Sequence, residues 1–325
     1  MWNSNFSSTP SQATSSYRDL YATSSIPLAA QNLFGEKCDK EVGPSDSGIT
    51  QRPLRFIDSI VKRGNELESP SFLTTGCENI DSFLHGGIPC FGITEIYGAA
   101  GSAKTQLCLQ LALNAQLPDS LGGLNNSGVV YINTEGAFPV TRMAELVRHF
   151  QMKYSVYSQE NPMDNIVVES VLDPDALFRC LNVRIPALVD EVGKSRIRLI
   201  ILDSVAAVFR ADFDVGEFQE RAVELRKTGA VLHKLAESLR AAVVVVNQET
   251  TSLALGQNVP ALGLTWTNLV TTRLRLSRVG KDRFLDVNFA PHLPEGSLKI
   301  QLTSRGINAE PWASEPPKKP KIQSS

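Results

Sequence analysis

Gly98-Ala99-Ala100-Gly101-Ser102-Ala103-Lys104-Thr105 is the segment that most clearly indicates the fold class. It follows residues 93–97, which are predicted to form a strand, and it opens residues 104–116, whose apolar spacing predicts a helix. A glycine-rich turn in this context points successive backbone N–H groups into one cradle, and the helix N-terminus adds a partial positive charge. The stretch is therefore predicted to be a P-loop that binds the phosphates of a nucleotide, with Gln106 beside it.

Two side chains of the loop have roles that follow from this geometry. Lys104 is predicted to reach the β and γ phosphates, and the Thr105 hydroxyl to bind Mg²⁺. Where the pattern G-x-x-x-x-G-K-[ST] has its second glycine, this chain has Ala103. A left-handed backbone there costs alanine about 1–2 kcal/mol, or about tenfold in nucleotide affinity, which predicts a weakened site. The alternative is an ordinary turn rich in glycine and alanine.

Asp203, Glu135 and Gln248 each follow a predicted strand of the same sheet. The carboxyl ends of parallel strands meet at one edge, so we expect these side chains near the P-loop. Asp203 is predicted to hold a Mg²⁺-bound water, Glu135 to orient the water that attacks ATP, and Gln248 to sense the γ-phosphate. Two alternatives stay open, a solvated loop acid for Glu135 and a core amide for Gln248.

Composition excludes several classes of protein. The 325 residues carry a net charge of −2, with 42% hydrophobic and 20% charged residues, which rules out a strongly basic coat for nucleic acid. No apolar run approaches the eighteen or so residues of a membrane span, so no membrane partner is expected. The five cysteines include no Cys-x-x-Cys pair, so neither a disulfide framework nor a zinc site is predicted.

The order of segments predicts an α/β fold with a mostly parallel sheet, flanked by helices and extended by antiparallel strands at one edge. Residues 1–48 are predicted to be disordered, 49–70 a linker helix, 71–306 the core and 307–325 a disordered Pro- and Lys-rich tail. Further elements are predicted as strands at 129–133, 166–169, 197–202, 242–246, 272–276, 284–289 and 298–302, helices at 140–150, 174–192 and 218–240, and a loop at 249–264.

Several segments over residues 72–305 resemble, in order, the RecA-like recombinase family. They are Thr75-Gly76-Cys77-Glu78-Asn79-Ile80-Asp81, Gly86-Gly87-Ile88, Lys104-Thr105-Gln106-Leu107, Asn133-Thr134-Glu135-Gly136, Leu202-Asp203-Ser204 and Asn247-Gln248. The resemblance implies a RecA-like P-loop NTPase core that uses ATP and Mg²⁺ in DNA repair by homologous recombination. It also implies that Arg142 stacks on adenine, for which a surface helix charge is the alternative.

Residues 261–268 and 290–294 resemble one group of eukaryotic paralogues within that family. This implies an accessory factor that assists the strand-exchange recombinase, acts on branched DNA and forms a heterodimer with the C-type paralogue of that recombinase. The implied location is the nucleus, with the cytoplasm as the alternative.

The sequence also departs from the family's pattern. Asn133 stands where the family has a strand acid, and residues 288–291 lack the acid with which recombinases cap a neighbour's nucleotide. The missing acid at residues 288–291 favours pairing with a different subunit over a self-capped filament, whereas Ala103 and Phe289 leave open a nucleotide-independent scaffold. A P-loop metabolic kinase is the third alternative, against which the long neutral loop after Gln248 argues.

Few basic residues lie where recombinases touch DNA. Residues 210–221 hold Arg210 and Arg221 against four acids, and residues 249–272 hold no Lys or Arg. The chain alone is therefore expected to bind single-stranded and branched DNA weakly. Arg273 and Arg275 are the better phosphate candidates, with a solvated edge strand as the alternative. Trp266 is interpreted as either a base-stacking or a core residue.

Overall fold

The computed structural model of the protein describes residues 71–157, 161–193, 196–211, 218–252 and 256–311. The predicted disordered segment 1–48, the predicted linker helix 49–70 and all but the first residues of the predicted tail 307–325 lie outside this part of the chain.

The described residues form two sheets, and the larger one dominates the fold. Its strands lie side by side in the order β12-β11-β10-β9-β3-β7-β6-β4-β5, with β8 paired to β7, while β1 and β2 form a small separate pair. The strands are β1 (Phe72–Leu73), β2 (Ile88–Pro89), β3 (Thr94–Gly98), β4 (Gly128–Asn133), β5 (Ile166–Ser170), β6 (Ile197–Asp203), β7 (Ala242–Ser252), β8 (Gln257–Pro260), β9 (Thr272–Val279), β10 (Asp282–Phe289), β11 (Gly296–Thr303) and β12 (Gly306–Ala309).

Strands β3 to β7 and β9 pair in parallel, whereas β9 to β12 pair with one another in antiparallel fashion. The predicted fold class, a mostly parallel sheet with an antiparallel edge, is confirmed.

Helices cover both faces of the large sheet. They are α1 (Glu78–Phe83), α2 (Lys104–Asn114), α3 (Val140–Lys153), α4 (Pro174–Arg179), α5 (Ile185–Val192), α6 (Val205–Ala211), α7 (Phe218–Leu239) and α8 (Gly263–Thr267). Alternate residues of β4 enter two separate cores, because successive side chains of a strand point to opposite faces. Val129 and Tyr131 pack with α2 and α3, and Val130 and Ile132 pack with α4 to α8.

Two predicted elements differ from the structure. Residues 249–252 and 257–260, predicted as part of a loop, are strands, because β7 continues to Ser252 and pairs antiparallel with β8 before α8 begins. The pairing of Thr250 with Val259 shows that β-branched residues extend the strand past its buried part. The predicted helix 174–192 is interrupted by a π turn at Cys180–Arg184. Pro186 follows this turn and has no N–H to donate to the carbonyl four residues back.

Strand register places the candidate residues at one edge of the sheet. Asn133 pairs with Asp203, Asp203 with Val246, and Gly98 with Gln248. The carboxyl ends of β3, β7, β6 and β4 therefore stand level with one another. Within the described part of the chain, no helix is long and apolar enough to cross a membrane.

Candidate functional site

The loop between β3 and α2 has a backbone that glycine makes possible. Gly98 and Gly101 have φ angles of 157° and 74°. A Cβ on Gly98 would lie 2.1 Å from the carbonyl oxygen of Leu276, so only glycine fits where the loop passes the neighbouring strand. A Cβ on Gly101 would meet nothing within 4 Å, which leaves open space above the loop for phosphates.

Ala103 has a left-handed backbone, with φ 88° and ψ 20°, directly before α2. Its position is the one where the P-loop pattern has glycine, and its Cβ makes that conformation unfavourable by about 1–2 kcal/mol. Because the folded chain itself holds this conformation, the cost is part of the folding free energy. The predicted tenfold loss of nucleotide affinity therefore does not follow from the backbone, and this revises the expectation from the sequence.

The Ala103→Gly variant is expected to raise the free energy of unfolding by about 1 kcal/mol, since relief of left-handed strain exceeds the entropy that glycine adds to the unfolded chain. Urea unfolding measures the change. Ala115→Gly is the matched control, because Ala115 has a right-handed helical backbone at the end of α2. It should lower stability by about 1 kcal/mol or more. A destabilised Ala103→Gly variant would contradict this interpretation.

Lys104 lies folded over the loop. Its Nζ donates to the carbonyl oxygens of Gly98, at 2.7 Å, and Ala99, at 2.9 Å. Burial lowers the pKa of this amine, and the nearby carboxylates of Asp203 and Glu135 oppose that shift. The cation therefore stands at the mouth of the phosphate cradle.

Asp203 is held by two hydroxyl groups. Its Oδ2 accepts from Thr105 Oγ1 at 2.8 Å and from Tyr131 Oη at 2.7 Å. Sequence reasoning missed Tyr131, and the available signal was a tyrosine in an otherwise aliphatic strand. Hydroxyl and carboxylate oxygens suit Mg²⁺. No group of three or more His, Cys, Asp or Glu capable of holding a metal exists among the described residues. Thr105 and Asp203 would be the residues that hold a Mg²⁺ ion here.

Burial raises the pKa of Asp203, against the lowering effect of the hydrogen bonds from Tyr131 and Thr105. A carboxyl whose pKa is higher in the folded state destabilises the fold as pH rises above its unfolded value, about 3.9. Asp203→Asn is therefore expected to raise the free energy of unfolding at pH 7 and to lose that advantage below about pH 4. Chemical denaturation at both pH values, without nucleotide, measures it, and equal stability at pH 7 would contradict it.

Glu135, Ser204 and Gln248 meet beside Asp203. Oε1 of Glu135 accepts from Ser204 Oγ and from Gln248 Nε2, both at 2.6 Å. Thr134 links the ends of β4 and β6, since its Oγ1 accepts a hydrogen bond from the Ser204 N–H at 2.6 Å. The structure thus brings both predicted catalytic side chains together. Sequence reasoning had not included Ser204.

These residues line a cleft of about 410 Å³. Its walls comprise Ala100, Gly101, Ala103, Lys104, Thr105, Gln106, Glu135, Asp203, Ser204, Val246, Gln248 and Leu302. Ser102 is buried below the loop, and its hydroxyl has no hydrogen-bond partner among the described residues. The cleft joins an anion cradle, a cation and two carboxylates, which fits a nucleotide with its Mg²⁺.

Arg142 lies next to this cleft on α3. Its Nε donates to Gln106 Oε1 at 2.7 Å, and its other nitrogens donate to Glu145 and to the carbonyl oxygens of Thr303 and Ser304. The guanidinium is therefore fixed between α2 and the turn after β11. Stacking of Arg142 on adenine stays a prediction.

Asn133 replaces the family's strand acid without leaving a buried group unpaired. Its side-chain amide donates to the carbonyl oxygen of Gly136 at 2.8 Å, which closes the turn that carries Glu135.

A buried network holds one arginine that was predicted to bind DNA. Glu95, fully buried on β3, accepts hydrogen bonds from Asn247 at 2.7 Å, from Trp266 at 2.8 Å and from Arg273. The base-stacking interpretation of Trp266 is wrong, since its side chain is in the core. The solvated-edge alternative for Arg273 is also wrong, because β9 lies between β3 and β10.

The other arginines are dispersed. Arg275 pairs with Glu249 at 2.7 Å, and the Arg221 guanidinium lies 5.8 Å from the ring centre of Phe218 at the start of α7. Arg210 belongs to α6, but its side chain is outside the described part of the structure. DNA contact by these residues stays a prediction.

The chain matches a known protein family over most of its length. The family model described as Rad51 matches residues 69–310. Over 259 residues the chain is 37% identical to the DNA repair protein XRCC3 of Bos taurus, covering 74% of this chain and 75% of that protein. It is also 37% identical over 286 residues to the DNA repair protein XRCC3 homolog of Arabidopsis thaliana, covering 73% of this chain and 92% of the relative.

A fungal relative is similar as well. The DNA repair protein rhp57 of Schizosaccharomyces pombe is 32% identical over 282 residues, covering 73% of this chain and 78% of that protein. The matched range includes the whole large sheet and every residue of the cleft. The resemblance drawn from the sequence is thereby confirmed, and the chain belongs to the Rad51 family.

Proposed function

We propose that this chain is an ATP-binding Rad51 paralogue that acts in DNA double-strand-break repair by homologous recombination and assists the strand-exchange recombinase. The observation that carries the proposal is the cleft in which Lys104, Thr105, Asp203, Glu135 and Gln248 converge. The relatives named as DNA repair proteins support the biological role.

Each cleft residue has a separate role in binding or hydrolysing the nucleotide. Mg²⁺-bound ATP, when present, supplies the phosphoanhydride bond. Backbone N–H groups of the loop and Lys104 hold the phosphates, and Thr105 with Asp203 positions the cation. Glu135 orients the attacking water as general base. Gln248 donates to Glu135 and sits where β7 leads into the β7–β8 hairpin, so it connects the nucleotide with that hairpin.

The partner is proposed to be the C-type paralogue of the recombinase, in a heterodimer that acts on single-stranded and branched DNA in the nucleus. Phe289 is more than half exposed on the segment where recombinases place a capping acid. An exposed aromatic suits contact with a different subunit. Because Arg273 and Arg275 are ion-paired, much of the DNA contact is assigned to the partner.

ATP turnover by the purified chain with Mg²⁺, with and without branched DNA, tests the proposal. Wild type is expected to hydrolyse ATP slowly, and Lys104→Ala to abolish turnover, because the phosphates lose their cation. Lys281→Ala, a change in the exposed β9–β10 turn, serves as the matched control. Equal turnover in wild type and Lys104→Ala would refute an active site in this cleft.

A nucleotide-independent scaffold is the second candidate function, and the absence of a carboxylate from residues 288–291 favours it. The two candidate functions require the same fold and differ only in whether the cleft binds ATP. ATP with Mg²⁺ should raise the Tm of an ATP-binding chain, by mass action, and leave that of Lys104→Ala unchanged. No Tm shift at saturating ATP would support the scaffold.

A further inference from the structure

A second cavity, of about 520 Å³, lies one helical turn along α2 from the nucleotide cleft. Gln106 lines the cleft, whereas Gln110 lines this cavity between α2, α3 and the β11–β12 turn. Its volume is within the range of small-molecule sites. The residues predicted from the sequence to bind nucleotide, metal or DNA do not line it.

Two cationic side chains, Lys153 and Arg305, line this cavity. His149 lines it as well, and no carboxylate does. Lys153 Nζ donates to the carbonyl oxygen of Gly76 at 3.0 Å, and its charge also suits the C-terminal end of α3. No comparable contact accounts for the positive charge of Arg305 at this place. Its guanidinium has neither an ion pair nor a hydrogen bond among the described residues, and it projects from the turn at the cavity's rim.

The deeper wall combines an unpaired amide with apolar side chains. Asn114 is 4% exposed, and its Nδ2 has no hydrogen-bond partner within the described residues. Leu113, Leu146 and Phe150 form the apolar part of the wall. Charge at the rim and apolar surface inside match a ligand with an anionic group on an apolar body.

We propose that this cavity is a second ligand site, specific for a small organic anion whose phosphate or carboxylate group is held by Arg305 and Lys153. The apolar body packs against Leu146 and Phe150. Lys153 also lines the neighbouring depression beyond Gly76, where the carboxylates of Glu78 and Asp81 disfavour an anion, so the anionic group is assigned to the cavity that contains Arg305.

Titration of the full chain with the fluorescent anion 8-anilinonaphthalene-1-sulfonate tests the site. Wild type is expected to bind the dye saturably, and Arg305→Gln and Lys153→Gln to weaken binding about tenfold each, as loss of one charged hydrogen bond predicts. Lys281→Gln is the matched control for removal of an exposed positive charge. Lys104→Ala should bind as wild type does, which separates this cavity from the nucleotide cleft.

Displacement of the dye identifies the ligand chemistry. Phenyl phosphate or benzoate should displace it, according to whether the site prefers phosphate or carboxylate, and benzyl alcohol should not. Unchanged dye affinity in Arg305→Gln and Lys153→Gln, or equal displacement by benzyl alcohol, would overturn the proposal.

Discussion

Glu95→Ala is expected to lower the free energy of unfolding by about 3–5 kcal/mol, the largest loss expected from a single substitution outside the cleft. Glu95 is fully buried and the Arg273 side chain is 12% exposed, so the change leaves a buried guanidinium without its counter-charge. Asn247 and Trp266 lose their acceptor at the same time. Urea unfolding followed by circular dichroism measures the loss.

A double substitution separates the buried charge from the packing. Glu95→Leu with Arg273→Met replaces the ion pair by apolar groups and should recover much of the stability, since such replacements are often close to neutral. Glu169→Ala is the control, because its ion pair with Arg184 is partly exposed, with the arginine side chain 52% exposed, and should contribute less than about 1 kcal/mol. A Glu95→Ala protein that loses no more than the Glu169→Ala control would show that the network does not stabilise the fold.

Glu135→Gln is expected to lower kcat for ATP about 10²–10⁴-fold while nucleotide binding persists, because the amide cannot accept the proton of the attacking water. In the structure Glu135 Oε1 already accepts from Ser204 and Gln248, so the carboxylate is held in one position at the cleft. Steady-state turnover, together with ATP titration monitored by Tm, separates loss of chemistry from loss of binding.

Glu237→Gln, which removes an exposed acid from α7, is the matched control and should leave kcat unchanged. If Glu135→Gln turned over ATP at the wild-type rate, the general base would have to be a different residue. If it lost ATP binding as well, Glu135 would be a positioning residue for the nucleotide.

Local sequence patterns were sufficient to predict the fold class and to predict which residues would lie together at the cleft. The P-loop pattern at residues 98–105 predicts a strand before it, a turn within it and a helix after it. The apolar run before Asp203 predicts a strand buried on both faces. Parallel strands bring their carboxyl ends to one edge, so Glu135, Asp203 and Gln248 could be assigned to one site from spacing alone.

Other elements are not decided by such patterns. Residues 249–252 and 257–260 contain polar residues typical of a loop, and only the pairing between β7 and β8 makes them strands. Tyr131 and Ser204 became site residues only when the structure showed their hydrogen bonds to Asp203 and Glu135.

The residues predicted to bind phosphate could be named from the sequence alone, because they are contiguous or end strands of one parallel sheet. Which charged side chains are paired could be seen only once the strands were placed in three dimensions. Arg273 was predicted to contact DNA phosphate, with a solvated edge strand as the alternative, yet β9 lies inside the sheet and Glu95, 178 positions away, neutralises the guanidinium. Burial and long-range pairing decide whether a charge is available to a ligand, and neither is encoded in local spacing.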